Sequence, residues 1–547
     1  MEFNLVQVLE EVEAACPDRT AIIFHDRHLT YRDLGERSRR VANVLAGHGL
    51  GAHRSRAVLA DHESGQDHVG LLLHNGNEYL EAMIGAFKAR VAPFNVNYRY
   101  VAEELLALLR DAGTRALIFH SSFAPVVDEV RSALDELVLL QVADDSVEEL
   151  LDGAHWYEDA LAAASSDLPS ALRDAWTPDD LYLLFTGGTT GRPKGVMWRQ
   201  ADIFVAAMGG RRTRTDDEWS GLDEIVATAA LGGARLTPAA PFMHGAAQWL
   251  AFSCFTAGNT LVIPTVVDHF DPADVLRTVE RHGVDILLVV GDAFGRPIAD
   301  ELESGDHDAS SLLAFVSGGA TLSSGVKSRL LASVPTMMIL DGLGASETGA
   351  QGASTVAAGQ LPSSGRFRPG KGTCVLSESL DSLLEPGHLE PGWLAQHGRV
   401  PLGYLGDPAS SERTFPTIDG VRYSVPGDRA LLRDDGSIEL LGRDAVTINS
   451  GGEKIFAEEV ERALAGHPAV VDVVVCGRRS EQWGEEVVAI IRLRADAAAS
   501  DDDLLVEAGR HIARYKLPKA IIRRSEIQRS PSGKADYRWA RDAAANG

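Results

Sequence analysis

Cysteine is scarce: the 547 residues include four, Cys16, Cys254, Cys374 and Cys476, far apart and without CxxC or metal-ligand spacing. This argues against a disulfide scaffold or a cysteine-held metal and fits a reducing, cytoplasmic setting. Positive charge is also in short supply. Lys and Arg number 52 against 78 Asp and Glu, for a net charge of -26. A nucleic-acid partner, which would draw its affinity from a basic face, is therefore not expected. Long apolar runs are missing as well: Ile286-Leu-Leu-Val-Val290 has the length of a buried strand, far short of a membrane span. No basic-then-apolar leader opens the chain, so neither export nor membrane insertion is expected. Internal repeats and low-complexity tracts are absent.

What is present is an ordinary globular composition, 45% hydrophobic and 24% charged, long enough for about three or four structural units. Helical periodicity alternates with short apolar runs, as in 102–111 followed by 116–119 and 272–282 followed by 285–290. This is the rhythm of an α/β fold whose sheets are covered by helices. Pro- and Gly-rich sequence from 359 to 406 and a hairpin turning at Asp435-Gly436 mark a smaller, β-barrel-like piece at about 359–441. Beyond Asp444 the order hairpin, helix (457–465), strand, strand, helix (501–513) predicts a small α+β domain. The expected division is 1–443 for a large N-terminal domain of mixed sheets and 444–547 for a small mobile C-terminal one. Charge inverts locally, since 511–547 holds nine Lys or Arg against three Asp or Glu, which suits an anionic ligand.

The run Phe185-Thr-Gly-Gly-Thr-Thr-Gly-Arg-Pro-Lys-Gly195 follows the apolar stretch Leu181-Tyr-Leu-Leu184 and reads as a strand opening into a phosphate-gripping loop. Gly187, Gly188 and Gly191 let backbone N–H groups approach an anion, Thr186, Thr189 and Thr190 add hydroxyl donors, and Lys194 supplies a point charge. It is not a P-loop, because Pro193 precedes the lysine and Gly195 follows it. The run resembles the phosphate loop of the adenylate-forming superfamily of acyl-CoA synthetases, luciferases and peptide-synthetase adenylation domains. Further motifs in that superfamily's order extend the resemblance from about Thr30 to Trp539.

The resemblance implies a role for each motif. His244, in Pro241-Phe-Met-His-Gly245, would lie beside the acyl pocket. Gly318, Gly319 and Ala320 would lie against adenine or the acyl chain. Asp341, Gly342, Leu343, Gly344 and Ser346 would frame the nucleotide, with Glu347 as the Mg²⁺ carboxylate, since a hard cation needs few protein oxygens beside phosphates. Asp428 would take both ribose hydroxyls and Arg443 would reach ribose or phosphate. Lys534, in Arg529-Ser-Pro-Ser-Gly-Lys534, would be the adenylation lysine, and Gly452 would sit on a hairpin that makes room for the pantetheine arm of coenzyme A.

The implied activity is ATP-dependent activation of a small-molecule carboxylic acid as acyl-AMP, then transfer to coenzyme A, with the C-terminal domain alternating between the steps. The segments 196–200, 242–249, 290–294 and 534–539 look similar to actinobacterial ligases for steroid side-chain and other polycyclic terpenoid acids. Small residues at Gly245, Ala246, Ala247, Gly291, Gly318, Gly319, Gly342 and Gly344 are consistent with a roomy pocket for a bulky or fatty acid. Two departures leave other readings open. Leu343 stands where many relatives have an aromatic residue, and Gly187 where many have Ser. An enzyme that only converts supplied acyl-AMP, fed by a separate adenylating partner, is one such reading. A carrier-protein-loading enzyme and a non-catalytic nucleotide-binding protein are the others, and a homodimer is compatible with all of them.

Overall fold

The computed structural model describes every residue except 1, 135, 187–192, 213, 214, 451, 452, 481–483, 496, 498, 530–532 and 547, and gives the backbone alone for 445, 449, 453, 454 and 484. The N-terminal part is built on two large sheets packed through a shared apolar core. One is fully parallel and has five strands, in the order Ala92–Asn95, His68–Leu72, Thr114–His120, Val138–Val142, His155–Trp156. The other carries parallel strands Thr260–Ile263, Arg235–Pro238, Ile286–Val289, Ala314–Gly318 and Met338–Ala345 at its centre. It then turns antiparallel at Gly349–Ala357 and runs through Arg366–Pro369 into the small strands of the β-rich piece. A three-stranded sheet places Lys194–Arg199 between Leu181–Thr186 and Gly403–Tyr404.

Local sequence explains why these elements stop where they do. The helices Ala102–Asp111, Pro272–His282 and Ala457–Ala465 have the ends that the sequence pattern gave them. Pro272–His282 shows the reasons: Asp271 caps its N-terminus by accepting from the Asp274 N–H, Pro272 opens it, and left-handed Gly283 (φ 58°) ends it. The helix expected over 501–513 is shorter, Asp501–Ala508. Gly509 follows the last turn, and its poor helix propensity lets the chain leave early for the single turn Arg514–Lys516.

The C-terminal sheet consists of Glu453–Phe456, Thr447–Ser450, Gly484–Leu493 and Val470–Ser480, with Ala520–Arg523 added beside Gly484–Leu493. Its two long strands read as continuous apolar runs because both faces are covered. Val473, Val475, Val487, Ala489 and Ile491 pack beneath Ala457–Ala465 and Asp501–Ala508, whereas Val474, Cys476, Val488 and Ile490 pack beneath Tyr537–Ala545. The last helix is thereby fixed to the sheet, and with it the segment that precedes it, Lys534 included. Among the described residues no helix is long and apolar enough to cross a membrane.

One buried charge holds the N-terminal helix in place. Lys88 is 1% exposed, and its Nζ lies 2.5 Å from Glu10 Oε1 on the helix Leu5–Ala15. Arg39 joins Glu10 at 3.0 Å and Glu13 at 2.8 Å. Burial alone would raise the Glu10 carboxyl, but Lys88 and Arg39 hold it below the usual glutamate value. Replacing Lys88 by Ala should therefore destabilise the N-terminal part by about 1–3 kcal/mol, because the partly buried Glu10 loses a charge-assisted bond yet keeps Arg39. A chemical-denaturation midpoint indistinguishable from that of the unaltered chain would contradict this.

Candidate active site

A cavity of about 1600 Å³ opens at the C-terminal ends of the parallel strands Ala314–Gly318 and Met338–Ala345, the end of an open α/β sheet where ligands bind. Thr186, His244, Gly318, Gly319, Gly342, Leu343, Gly344, Ser346, Arg443 and Lys534 all line it, so elements more than 300 residues apart in sequence contribute to one chamber. Its floor needs glycine at Gly344, where a Cβ would fall 2.4 Å from the Gly349 carbonyl oxygen. Gly319 adopts a left-handed backbone (φ 83°) at the rim. Of the small residues expected around a roomy pocket, Gly245, Ala246, Gly318, Gly319, Gly342 and Gly344 line the cavity. Ala247 is buried in the core, and Gly291 packs against Ala320, whose Cβ lies 2.8 Å from where a Gly291 Cβ would stand. Gly187, Gly188, Thr189, Thr190, Gly191 and Gly452 lie outside the described residues.

Asp341 differs from the expectation that it frames the nucleotide. Successive residues of a strand face opposite sides, and Gly342 faces the cavity. The Asp341 carboxylate instead accepts from Lys327 Nζ at 2.8 Å, both side chains being almost wholly buried. Lys327 also donates to the Ser363 carbonyl at 2.7 Å. Asp341 thus ties a helix to the sheet behind the cavity.

Four charged groups lie close together: Arg443 and Lys534 line the cavity, and Asp428 and Glu347 act on both from beside it. Asp428 and Arg443 are cross-strand neighbours in the hairpin Asp428–Leu432/Ile438–Arg443, with Arg443 Nε 3.5 Å from Asp428 Oδ1. Asp428, Glu347 and Glu458 together hold the Arg443 guanidinium firmly charged against its burial. Lys534 lines the cavity, its side chain exposed to the chamber rather than packed in the core. Loss of bulk water, then the nearby Arg443, lowers its ammonium below the usual lysine value, and Glu347 and Asp428 oppose the shift. His244 also lines the cavity, at the start of the helix Gly245–Thr256. Burial, Lys534 and Arg99 push its imidazole down to about 3, so the ring is neutral, and its Nε2 has no hydrogen-bond partner among the described residues.

Tyr404 was not legible as a site residue in the sequence. Its hydroxyl donates to Glu347 Oε1 at 3.0 Å, and its ring lies under the Lys194 ammonium, 4.8 Å from ring centroid to Nζ. Lys194 also donates to Ser410 Oγ at 2.8 Å. Glu347 is further gripped at its carbonyl by Ser424 Oγ, and the neighbouring Ser346 carbonyl accepts from Trp198 Nε1. Tyr404 sits in the stretch that reads as irregular and reaches the site only by pairing with Val196, 208 positions earlier. No local pattern marks it. With Oε1 engaged by Tyr404, Glu347 offers its other oxygen, and a single carboxylate completed by phosphate oxygens is a donor set that fits Mg²⁺.

The arrangement gives a roomy chamber an apolar stretch of wall at Met243, Trp249 and Leu250 and several cationic side chains, Arg443 and Lys534 among them, suited to holding an acid beside a polyanionic nucleotide. The sequence pattern of the AMP-binding enzyme family matches residues 9–398, and that of the AMP-binding enzyme C-terminal domain matches residues 459–534. The chain is 55% identical to a medium-chain acyl-CoA ligase, Mig, of Mycobacterium avium, over 100% of this chain and 99% of that one. It is 38% identical to a 3-oxocholest-4-en-26-oate–CoA ligase of Rhodococcus rhodochrous, over 99% and 96%. Among solved structures, an anthranilate CoA ligase, AuaEII, in complex with anthranoyl-AMP superimposes with a TM-score of 0.82 at 22% identity, covering 100% of this chain and 98% of that one, a likeness of fold. Profile, relatives and fold agree with the motifs and their geometry: the chain belongs to the AMP-binding enzyme family.

Proposed function

We propose that this protein is an ATP-dependent, AMP-forming acyl-CoA ligase that carries out both half-reactions in one cavity. The observation that carries the reading is the meeting of Lys534 and Arg443, both lining the chamber, with Glu347 and Asp428 beside them, in a chamber also lined by His244 and the glycine-rich strand ends. A carboxylate is a weak nucleophile toward ATP because both are anionic, so the site must neutralise phosphate charge and hold the reactants in line. Lys534 would lie between the acid's carboxylate and the α-phosphate. A carboxylate oxygen attacks the α-phosphorus, the bond to the β-phosphate breaks, and pyrophosphate leaves. Asp428 would accept from the ribose hydroxyls, and Glu347 would hold Mg²⁺, which supplies further charge neutralisation to the phosphates when bound. Neutral His244 can hydrogen-bond the acid without adding a second positive charge beside Lys534.

In the second step the sulfur of coenzyme A attacks the acyl carbon, its thiol proton is released, and AMP departs. Lys534 has no task there, and the hairpin bearing Gly452 would take its place by rotation about Asp444. Two features support a hinge at that point. Asp444–Val446 is a single turn between the last hairpin of the N-terminal part and the first strand of the C-terminal sheet, and the Asp444 N–H is held by the Gly427 carbonyl at 2.9 Å. We place the domain division there, with 1–443 on one side and 444–547 on the other.

For the acid we propose an apolar one, fatty or polycyclic, with room for a bulky ring system. The cavity exceeds the usual range for one small ligand, roughly 300–1,000 Å³, and its acyl side is walled by Met243, Ala246, Trp249 and Leu250. The relatives named for medium-chain acids and for a steroid acid bracket this range.

Three outcomes follow. Lys534→Ala should lower carboxylate-dependent pyrophosphate release by about 100-fold or more while leaving conversion of synthetic acyl-AMP and coenzyme A largely intact; equal loss of both would remove Lys534 from the adenylation role. In a panel of medium-chain, long-chain, steroid and diterpenoid acids, the polycyclic acids should be turned over at least as well as the linear ones, and a clear preference for linear acids would exclude the bulky-acid reading. His244 gives a pH signature. Its folded value near 3 lies below the unfolded value of 6.5, so the unfolded chain takes up the proton first and stability is lost as pH falls below 6.5. The unaltered protein should therefore lose on the order of 1–2 kcal/mol more stability than His244→Asn between pH 7 and pH 5, measured by denaturant titration.

A further inference from the structure

Lys534 can act only if its own backbone is held, and the structure shows what holds it. Arg529 stands five residues earlier and faces Ala535 across an isolated antiparallel bridge. Its guanidinium divides its donors between two tasks. Nε and Nη2 grip the Asp472 carboxylate at 2.9 and 2.5 Å, with Nη2 also 3.2 Å from the Val473 carbonyl. Nη1 donates to the Gly533 carbonyl at 3.0 Å, one peptide before Lys534. Gly533 itself has the left-handed backbone (φ 73°) that turns the chain at this point, and a Cβ there would come within 2.9 Å of Ala293 on the helix Gly291–Ser304.

Asp472 is aimed at this task by a local irregularity. The ladder between Val470–Ser480 and Gly484–Leu493 shifts register between Val470 and Asp472, and such shifts redirect side chains near functional sites. The side chains of Arg529 and Asp472 are only 26% and 23% exposed, so their charge-assisted bonds are partly shielded from water. Only the planar, forked arginine can serve the carboxylate and two carbonyls at once, since a lysine ammonium is a point donor on a flexible stem.

We propose that Arg529, oriented by Asp472, is the positioning residue for Lys534, fixing the Gly533 carbonyl to the C-terminal sheet so that the lysine enters the cavity in one geometry. The inference rests on the reading of Lys534 as the adenylation lysine. All members of this brace belong to the C-terminal part and would move with it as a unit. Its loss should harm the step that uses Lys534 and spare the step that does not.

The test uses the full-length enzyme and measures two rates in parallel: carboxylate-dependent pyrophosphate release, and acyl-CoA formation from synthetic acyl-AMP and coenzyme A. Arg529→Ala and Asp472→Asn should each cut the first by about 10- to 100-fold, the cost of a misplacement near 1 Å, and change the second by less than about threefold. Arg529→Lys should fall between Arg529→Ala and the unaltered enzyme. Retention of the second rate also certifies that each variant is folded. Pyrophosphate release unchanged in Arg529→Ala, or both rates falling together, overturns the proposal. Lys534→Ala separates the two claims. If it spares pyrophosphate release, the assignment of Lys534 fails and the brace with it; if it abolishes release while Arg529→Ala does not, the brace alone fails.

Discussion

The constraint on which the rest of this structure depends is electrostatic: an ATP-dependent acid–CoA ligase has to bring a carboxylate to a polyanionic nucleotide, and this cavity holds two cations, Lys534 and Arg443, away from bulk water. Lys534 is lowered by the removal of bulk water and by Arg443, and is supported by Glu347 and Asp428. Arg443 is itself kept charged by Asp428, Glu347 and Glu458. Each of these charges is therefore stabilised by groups from another part of the chain. The site exists as a balanced set only when the C-terminal part is docked as it is here.

Much of the surrounding architecture can be understood as support for that set. At Gly344 the backbone of the neighbouring strand comes so close that no side chain fits, so the cavity lining is backbone there. Trp198 and Ser424 hold the carbonyls of Ser346 and Glu347, which fixes the backbone from which the Glu347 carboxylate reaches Tyr404. Tyr404 links that carboxylate to Lys194 through its hydroxyl and its ring face. In the C-terminal part, the last helix is packed on the sheet through Ala540 and Ala544, and Arg529 fastens the Gly533 carbonyl. Buried ion pairs away from the cavity, Lys88 with Glu10 and Lys327 with Asp341, fix helices to the frame.

The sequence was legible wherever chemistry and spacing are local. Helices with capped ends, such as Pro272–His282, follow from Asp, Pro and Gly at fixed offsets. The apolar strands of the C-terminal sheet follow from runs that alternate between two covered faces. Motif residues His244, Gly318, Gly342, Leu343, Ser346, Arg443 and Lys534 could be named in advance because each sits in a short run of distinctive composition, and all of them reach the cavity. The family and the ligase reading were available from the same runs.

What the sequence could not supply is the outcome of long-range packing. Asp341 shares a motif with cavity residues, yet strand alternation turns it toward Lys327, whose position depends on a helix fourteen residues away in sequence. Tyr404 enters the site only because its strand pairs with Val196, and Asp472 meets Arg529 across 57 positions because a register shift redirects it. Composition and short-range pattern determine which elements form and which residue types can do chemistry. Which side chains face one another, and which charges share a desolvated space, is decided by tertiary structure, since those energies arise between groups that the linear chain keeps far apart.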